Sequence, residues 1–181
     1  MSVDHREFRN ALGFFTTGVT IITAIGIRGQ FLGITANSFS SVSLSPPLVL
    51  FSLDRRALSL ADFLSTGHFA VNVLSADQKD LSGRFAKPMA DKWTGVDYDI
   101  WDHGCPIIKG SHAVFECSIA NTYAGGDHVI LVGEVQRYEV NQKLDPLVYY
   151  RGQYRDLAPA DAKTPEAHLD ALDAVFASPF G

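Results

Sequence analysis

GITANSFSSVSLSPPLVLFS, residues 33–52, begins and ends like a buried β-strand but carries six serines and no charged residue between its apolar ends. Small hydroxyls and backbone N–H groups on a loop can hydrogen-bond a flat, anionic ligand without crowding it. A serine-rich turn can also use its hydroxyls to satisfy its own backbone. The stretch is therefore a candidate ligand-binding segment between two strands, with a purely structural turn as the alternative.

The segments around this stretch predict a fold that is mainly β. The β-branched run VTIITAIGI (19–27) and the run FLGITA (31–36) predict a hairpin, and PPLVLFSL (46–53) and HFAVNVLS (68–75) predict further strands. Two long runs, 112–124 and 128–140, are joined by GGD, a strong hairpin signal. About six or seven strands with few helices predict an antiparallel β-barrel rather than a parallel βαβ sheet.

Helical spacing appears in three short segments. Residues 4–15 have Asp4 as a predicted N-cap, residues 57–67 form a second segment, and residues 75–86 open with a predicted capping box of Ser75 and Gln78. Residues 87–110 predict an irregular excursion over one end of the barrel. We predict one domain over residues 1–157, followed at 158–181 by a linker and a short helix that starts at Thr164.

Composition excludes several classes of protein. The 181 residues include 46% hydrophobic ones, enough for an ordered core, and the net charge is −5 without any Lys/Arg-rich run, so no nucleic-acid or membrane partner is expected. The N-terminal residues lack the apolar region of a signal peptide, so a cytoplasmic location is expected. Cys105 and Cys117 have no CxxC spacing and are expected to be reduced, buried and free of metal.

Several familiar catalytic motifs are missing. The sequence contains neither GxGxxG nor GxxxxGK[ST], and it has no HExxH, no GxSxG and no carboxylate pair at an obvious spacing. A hydrolase is therefore poorly supported. A reaction that needs no protein acid or base, such as hydride transfer involving a cofactor, remains open.

Three motifs together resemble the short-chain flavin reductases, the reductase components of two-component flavin monooxygenases. They are residues 33–52, GGDHVILVGEV (125–135) and YYRGQYRDL (149–157), in the expected order. The resemblance implies an antiparallel split β-barrel that binds FMN, with FAD as the alternative, and uses NADH, with NADPH as the alternative. It also implies a homodimer, a separate monooxygenase component as partner, and hydride transfer from nicotinamide to flavin.

The resemblance also implies which residues contact the flavin. Thr35, Ala36, Asn37 and Ser38 would line its ring and ribityl chain. Arg84 is the preferred phosphate clamp because a planar guanidinium can grip two phosphate oxygens. The end of the third predicted strand and the start of the next helix offer further candidates near the phosphate, although the Asp-Arg-Arg sequence departs from the family pattern; with the RFA sequence, the predicted flavin set also includes Ser52, Leu53, Asp54, Arg55, Ser59 and Phe85.

The later motifs supply a predicted nicotinamide site. By resemblance, His128 of the GDH sequence faces the nicotinamide, while the YYRGQY turn contributes Tyr149, Arg151, Gly152 and Tyr154. Aromatic rings and a guanidinium suit a dinucleotide packed on a flavin. The alternative for His128 is a hairpin-turn histidine without a role, and for the tyrosines an aromatic cluster that anchors the last strand. No catalytic acid or base is predicted.

Two other functions remain compatible with this fold. One is a flavin-binding storage or sensor module without reductase turnover. The other is a pyridoxamine-phosphate-oxidase-like or haem-binding relative on the same barrel. The GDH and YRGQY motifs favour the reductase over both because they would serve a nicotinamide nucleotide.

Overall fold

The computed structural model describes residues 3–88 and 91–158. These residues contain three α-helices: α1 (His5–Leu12), α2 (Leu60–Ser65) and α3 (Lys79–Phe85). The same described residues form twelve strands: β1 (Thr17–Gly18), β2 (Thr20–Ile25), β3 (Phe31–Ala36), β4 (Ser40–Leu44), β5 (Pro47–Asp54), β6 (His68–Val73), β7 (Tyr98–Ile100), β8 (Pro106–Ile108), β9 (Ala113–Gly125), β10 (His128–Val140), β11 (Val148–Tyr150) and β12 (Gln153–Arg155).

Seven of these strands form the main sheet, in the order β3-β2-β6-β9-β10-β5-β4. Every neighbouring pair in it is antiparallel. The predicted mainly β, antiparallel architecture is confirmed, and so is the hairpin of β9 and β10 around Gly125 and His128. Within the part of the chain that the structure describes, hydrogen bonds do not close the barrel, since β3 and β4 remain edge strands.

Two small sheets extend the main one. β1, β11 and β12 form the first, and its turn holds Arg151 at φ 50° and Gly152 at φ 77°. The Arg151 N–H donates to the Gly13 carbonyl at 2.9 Å, which fixes this turn against the end of α1. The second sheet pairs β7 with β8 inside the predicted irregular excursion, so that excursion is more regular than expected.

The core lies inside the curved sheet and follows from the sequence pattern. Along β5, alternate residues Val49, Phe51 and Leu53 are buried, as expected for a strand with one face on the core. Phe51 and Phe69 meet there edge to face at 5.0 Å. A second apolar cluster lies under α3 and is built around Val19, Ile21, Leu74, Phe85 and Leu147.

The predicted caps at Asp4 and Ser75 are confirmed. The Asp4 carboxylate accepts the N–H groups of Arg6 and Glu7 at 2.8 and 2.9 Å. The Gln78 side chain accepts the Ser75 N–H at 3.1 Å. Cys105 and Cys117 are free and buried. The helix predicted from Thr164 lies outside the described residues.

Among residues 3–88 and 91–158, no helix combines the length and the apolar character that crossing a membrane would need.

Gly133 on β10 is a packing constraint. A Cβ at this position would come within 2.4 Å of the Phe69 ring and 2.8 Å of the Cys117 Cβ. Both neighbours belong to the core inside the sheet, with Phe51, and are fully buried, so neither can move without disturbing the packing there.

We expect Gly133→Ala to lower the free energy of unfolding by about 1–3 kcal/mol because the added methyl overpacks the core. Urea or thermal unfolding measures the change. Gly83→Ala is the matched control: its Cβ would meet nothing within 4 Å and it lies inside α3. The control should be neutral or stabilising, and equal destabilisation of both variants would contradict the packing argument.

Candidate functional site

Two open cavities lie side by side and share one wall. Their volumes are about 1140 Å³ and about 1350 Å³. The shared wall is the end of β3 and the two residues that follow it, together with one residue after α3 and one at the start of β10: Thr35, Ala36, Asn37, Ser38, Ala86 and His128. The serine-rich stretch singled out in the sequence therefore lies between two spaces that can each hold a ligand.

Hydroxyl groups hold this wall in place. The Ser38 hydroxyl donates to the Ser52 carbonyl at 3.1 Å and accepts the Ser52 N–H at 3.0 Å, which ties the segment to β5. The Thr35 hydroxyl donates to the Ser82 carbonyl at 2.7 Å and ties it to α3. Both hydroxyls therefore bond backbone groups of the protein, as expected from the structural alternative for this segment.

The free edge of β3 offers backbone groups to the first cavity. Lys92 donates from Nζ to the carbonyls of Gly33 and Phe85, at 3.0 and 2.9 Å, and partial burial lowers the pKa of this amine. Along an antiparallel strand, the N–H and C=O groups of successive residues point alternately to one neighbouring strand and to the other side. Thr35 is two residues after Gly33, so its backbone groups face the same free edge of β3. An unpaired strand edge can hydrogen-bond the polar edge of a planar ligand.

Aromatic rings form the apolar part of the first cavity. Phe31 and Phe85 each meet Trp93 edge to face, at 5.4 and 5.1 Å. A Cβ on Gly33 would lie 2.3 Å from the Phe85 ring, so only glycine allows this ring to approach β3 so closely. The cavity thus combines a strand edge with flat apolar walls, which suits a flat heterocycle.

Most of the predicted flavin residues line this first cavity. The structure brings together Thr35, Ala36, Asn37, Ser38, Ser52, Leu53, Asp54, Ser59 and Phe85.

Arg55 and Arg84 do not line the first cavity. Arg55 donates from Nε to the Gly126 carbonyl at 2.9 Å and fixes the tip of the β9–β10 hairpin. Arg84, the predicted phosphate clamp, donates to the Thr94 carbonyl at 2.9 Å.

The charged side chains on the first cavity are of both signs. Among the described residues the cations on its lining are Lys87 and Lys92, and the carboxylates are Asp54 and Asp62. Hydrogen bonds from Arg56 hold the pKa of Asp54 well below its usual range, so this carboxylate stays ionised. An anionic group in the cavity would be attracted to the lysine side and repelled from the Asp54 side.

All five predicted nicotinamide residues line the second cavity. His128, Tyr149, Arg151, Gly152 and Tyr154 surround it together with the end of α1. The Tyr154 hydroxyl lies 2.8 Å from the Ser82 hydroxyl, and Tyr149 and Tyr154 meet edge to face at 5.6 Å.

His128 belongs to both cavities. Its Nδ1 lies 2.7 Å from the Asp127 carboxylate, and this hydrogen bond lowers the pKa of Asp127. In the sheet His128 is paired with Asp54 on one side and Gly125 on the other. The imidazole is thus anchored at one nitrogen, while Nε2 is left for a ligand.

Sequence reasoning missed several residues that shape the two cavities. The segment predicted to be irregular, 87–110, contains three of them: Lys87, Lys92 and Trp93. The only sequence signal for the last two is the order DKW, an acid followed by a cation and an indole. In the sequence, Ser82 has only the features of a helix residue. In the structure, its carbonyl accepts the Thr35 hydroxyl and its own hydroxyl bonds the Tyr154 hydroxyl.

Comparison with known proteins gives a family match. Residues 12–158 match the family described as flavin reductase like domain. A probable flavin reductase of Rhizobium meliloti is 46% identical over 151 residues, which cover 83% of this chain and 48% of that protein. The reductase subunit HsaB of a flavin-dependent monooxygenase of Mycobacterium tuberculosis is 40% identical over 174 residues, covering 95% of this chain and 92% of that one.

A solved structure is also similar to this chain. The NADH:FAD oxidoreductase SgcE6 of Streptomyces globisporus, in complex with NAD and FAD fragments, superposes with a TM-score of 0.83 at 38% identity, covering 89% of this chain and 99% of that one. The chain spans about half of the length of the Rhizobium meliloti relative, 48%.

We expect Ser38→Ala to destabilise the protein by about 1–3 kcal/mol because it leaves the partly buried Ser52 N–H without its acceptor. Denaturant unfolding measures the loss. Ser40→Ala is the control, since that exposed hydroxyl donates only to the neighbouring Ser41 carbonyl. If both variants unfold at the same denaturant concentration, the Ser38 hydroxyl does not hold the wall.

Proposed function

The chain belongs to the flavin reductase like domain family, and from this premise we propose that it is an NAD(P)H:flavin oxidoreductase. The observation that carries the proposal is the pair of cavities with a common wall at Thr35, Ala36, Asn37, Ser38, Ala86 and His128. A reductase must hold two flat ring systems against each other, and two adjoining cavities provide space for both.

The first cavity is the proposed flavin site. Its aromatic rings suit the isoalloxazine, and the free edge of β3 at Thr35 can donate to the polar edge of that ring. Donors near N1 and O2 would stabilise the negative charge of reduced flavin. Flavin, once bound, supplies the electron-accepting chemistry, whereas the protein binds it, orients it and excludes water.

The second cavity is the proposed nicotinamide site. Hydride transfer requires the nicotinamide C4 to approach flavin N5 to roughly 3–3.5 Å, so the nicotinamide belongs at the shared wall, beside His128. The hydrogen on C4 would move to N5 with both electrons of its C–H bond, which would leave the nicotinamide oxidised and the flavin reduced. This step needs no protein acid or base, and we assign His128 a binding role rather than a proton-transfer role.

Lys87 is the proposed partner of a flavin phosphate, because it lines the first cavity and Arg84 does not. We expect Lys87→Ala to weaken FMN binding about tenfold, the loss of one charge-assisted hydrogen bond, while riboflavin binding changes little. Fluorescence titration with FMN and with riboflavin measures both dissociation constants. If Arg84→Ala instead abolishes the preference for FMN and Lys87→Ala keeps it, the original sequence prediction is right.

We further propose a cytoplasmic homodimer that supplies reduced flavin to a separate monooxygenase component. The resemblance supports the dimer, as do exposed apolar side chains such as Phe15 and Leu44, at 78% and 69% exposure. The naming of HsaB as a reductase subunit supports the oxygenase partner. The unpaired, buried cysteines suit a reducing compartment. Sedimentation of the purified chain at twice its own mass would support the dimer, and a monomeric mass would overturn it.

The reductase reading is tested by NADH oxidation at 340 nm in air, with FMN, FAD or no added flavin. We expect turnover that depends on flavin, and we expect His128→Ala to raise the KM for NADH about tenfold through a lost contact. The control is His103→Ala, whose side chain lines neither cavity.

Tight flavin binding without turnover on NADH or NADPH would favour the storage or sensor module instead. An unchanged KM in His128→Ala would remove His128 from the site.

A further inference from the structure

We propose that Arg151 and Arg9 bind the phosphate groups of the nicotinamide dinucleotide in the second cavity, and that Arg9 allows the protein to use NADPH as well as NADH. The inference rests on the proposed function and deepens it, because it assigns the part of the second cavity that faces away from the flavin. It concerns the anionic half of the nucleotide rather than its nicotinamide ring.

The charge of the second cavity differs from that of the whole chain. The chain has a net charge of −5. Yet among the described residues on the lining of this cavity, Arg9 and Arg151 are the Lys or Arg side chains, and no Asp or Glu is present. The first cavity, by contrast, carries Asp54 and Asp62 beside its lysines. A local excess of positive charge in an acidic protein favours an anionic ligand.

Neither arginine is neutralised by the part of the protein that the structure describes. Arg56 and Arg137 form ion pairs of 2.7 and 2.6 Å with carboxylates, whereas the described residues offer Arg9 and Arg151 no such pair. The Arg151 guanidinium lies over the Phe14 ring, 4.6 Å from its centroid. Stacking orients the guanidinium plane while its N–H groups stay available for phosphate oxygens.

The backbone brings Arg151 to α1. Its φ of 50° is in the left-handed region that residues with a side chain rarely adopt. Its N–H is bound to the Gly13 carbonyl at 2.9 Å. A non-glycine residue in this conformation is strained, and such residues cluster at ligand sites.

The two arginines follow the order of the groups in the dinucleotide. The turn with Arg151 adjoins the shared wall, because Tyr154 in β12, the strand that follows the turn, contacts Ser82, and Ser82 contacts Thr35. Arg9 lies one helical turn before Gly13, roughly 6 Å farther along α1 by the rise of the helix. With the nicotinamide at the shared wall, the pyrophosphate comes to Arg151 and the adenosine ribose to Arg9.

The absence of a carboxylate from the described lining decides which nucleotides are accepted. In Rossmann-type sites an acidic side chain on the ribose 2′-hydroxyl selects NADH and an arginine accommodates the 2′-phosphate of NADPH, and the same electrostatics apply to any site for this ribose. The second cavity has an arginine there and, among its described lining residues, no acid. NADPH should therefore enter without an electrostatic penalty.

Steady-state kinetics of the full chain with saturating FMN test the inference. For the unaltered protein, kcat/KM with NADPH should lie within about tenfold of the value with NADH. Arg9→Ala should raise the KM for NADPH about tenfold and that for NADH less than about threefold, since one charge-assisted contact is lost only with NADPH. Arg151→Ala should raise both KM values. Arg6→Ala is the matched control: it removes the same charge from the same helix, and Arg6 lies outside the lining of the cavity.

A kcat/KM with NADPH below about one hundredth of that with NADH would overturn the inference, as would equal shifts in Arg9→Ala and Arg6→Ala. Calorimetry with 2′-phospho-ADP-ribose and ADP-ribose separates this result from a failure of the proposed reductase activity, because neither probe can deliver hydride. Tighter binding of the 2′-phosphorylated probe, lost in Arg9→Ala, supports the inference even if no turnover is found. Equal binding of the two probes to Arg9→Ala and to the unaltered protein overturns it.

Discussion

The reciprocal hydrogen bonds between the Ser38 hydroxyl and the backbone of Ser52 fix the wall on which both cavities depend. With the hydrogen bond from Thr35 to Ser82, they connect the end of β3 and the residues after it to β5 on one side and to α3 on the other. Small side chains are required here because the ligands must approach the backbone closely. Two of the hydroxyls in residues 33–52, those of Thr35 and Ser38, thus bond the protein's own backbone and leave the free edge of β3 open.

Local pattern predicted much of the fold and less of the site. The β9–β10 hairpin follows from alternation and from GGD, and the cap at Asp4 follows from residues next to each other in the chain. Lys92 could not be assigned in this way, because its partner Gly33 is 59 residues away. The orientation of Arg84 is equally non-local, because the Thr94 carbonyl that accepts its hydrogen bond lies ten residues further along the chain.

Charge distribution separates the two cavities more clearly than shape does. The first one balances Lys87 and Lys92 against Asp54 and Asp62 among its described lining residues, and the second presents Arg9 and Arg151 alone. Under the proposed function, the flavin leaves for another protein, and apolar contact with a few hydrogen bonds holds such a ligand more loosely than strong ion pairing would. The proposed hydride donor, an anionic dinucleotide replaced in each cycle, would be attracted by a positively charged entrance.

The close approach of Gly33 to Phe85 also restricts how this protein can evolve. The Phe85 ring fills the space that any side chain at position 33 would need, and this ring is itself fully buried. A larger residue at position 33 becomes acceptable only after position 85 has become smaller, so neither change is neutral in the absence of the other. The two positions, 52 residues apart in the chain, are therefore expected to vary as a pair among descendants of this sequence.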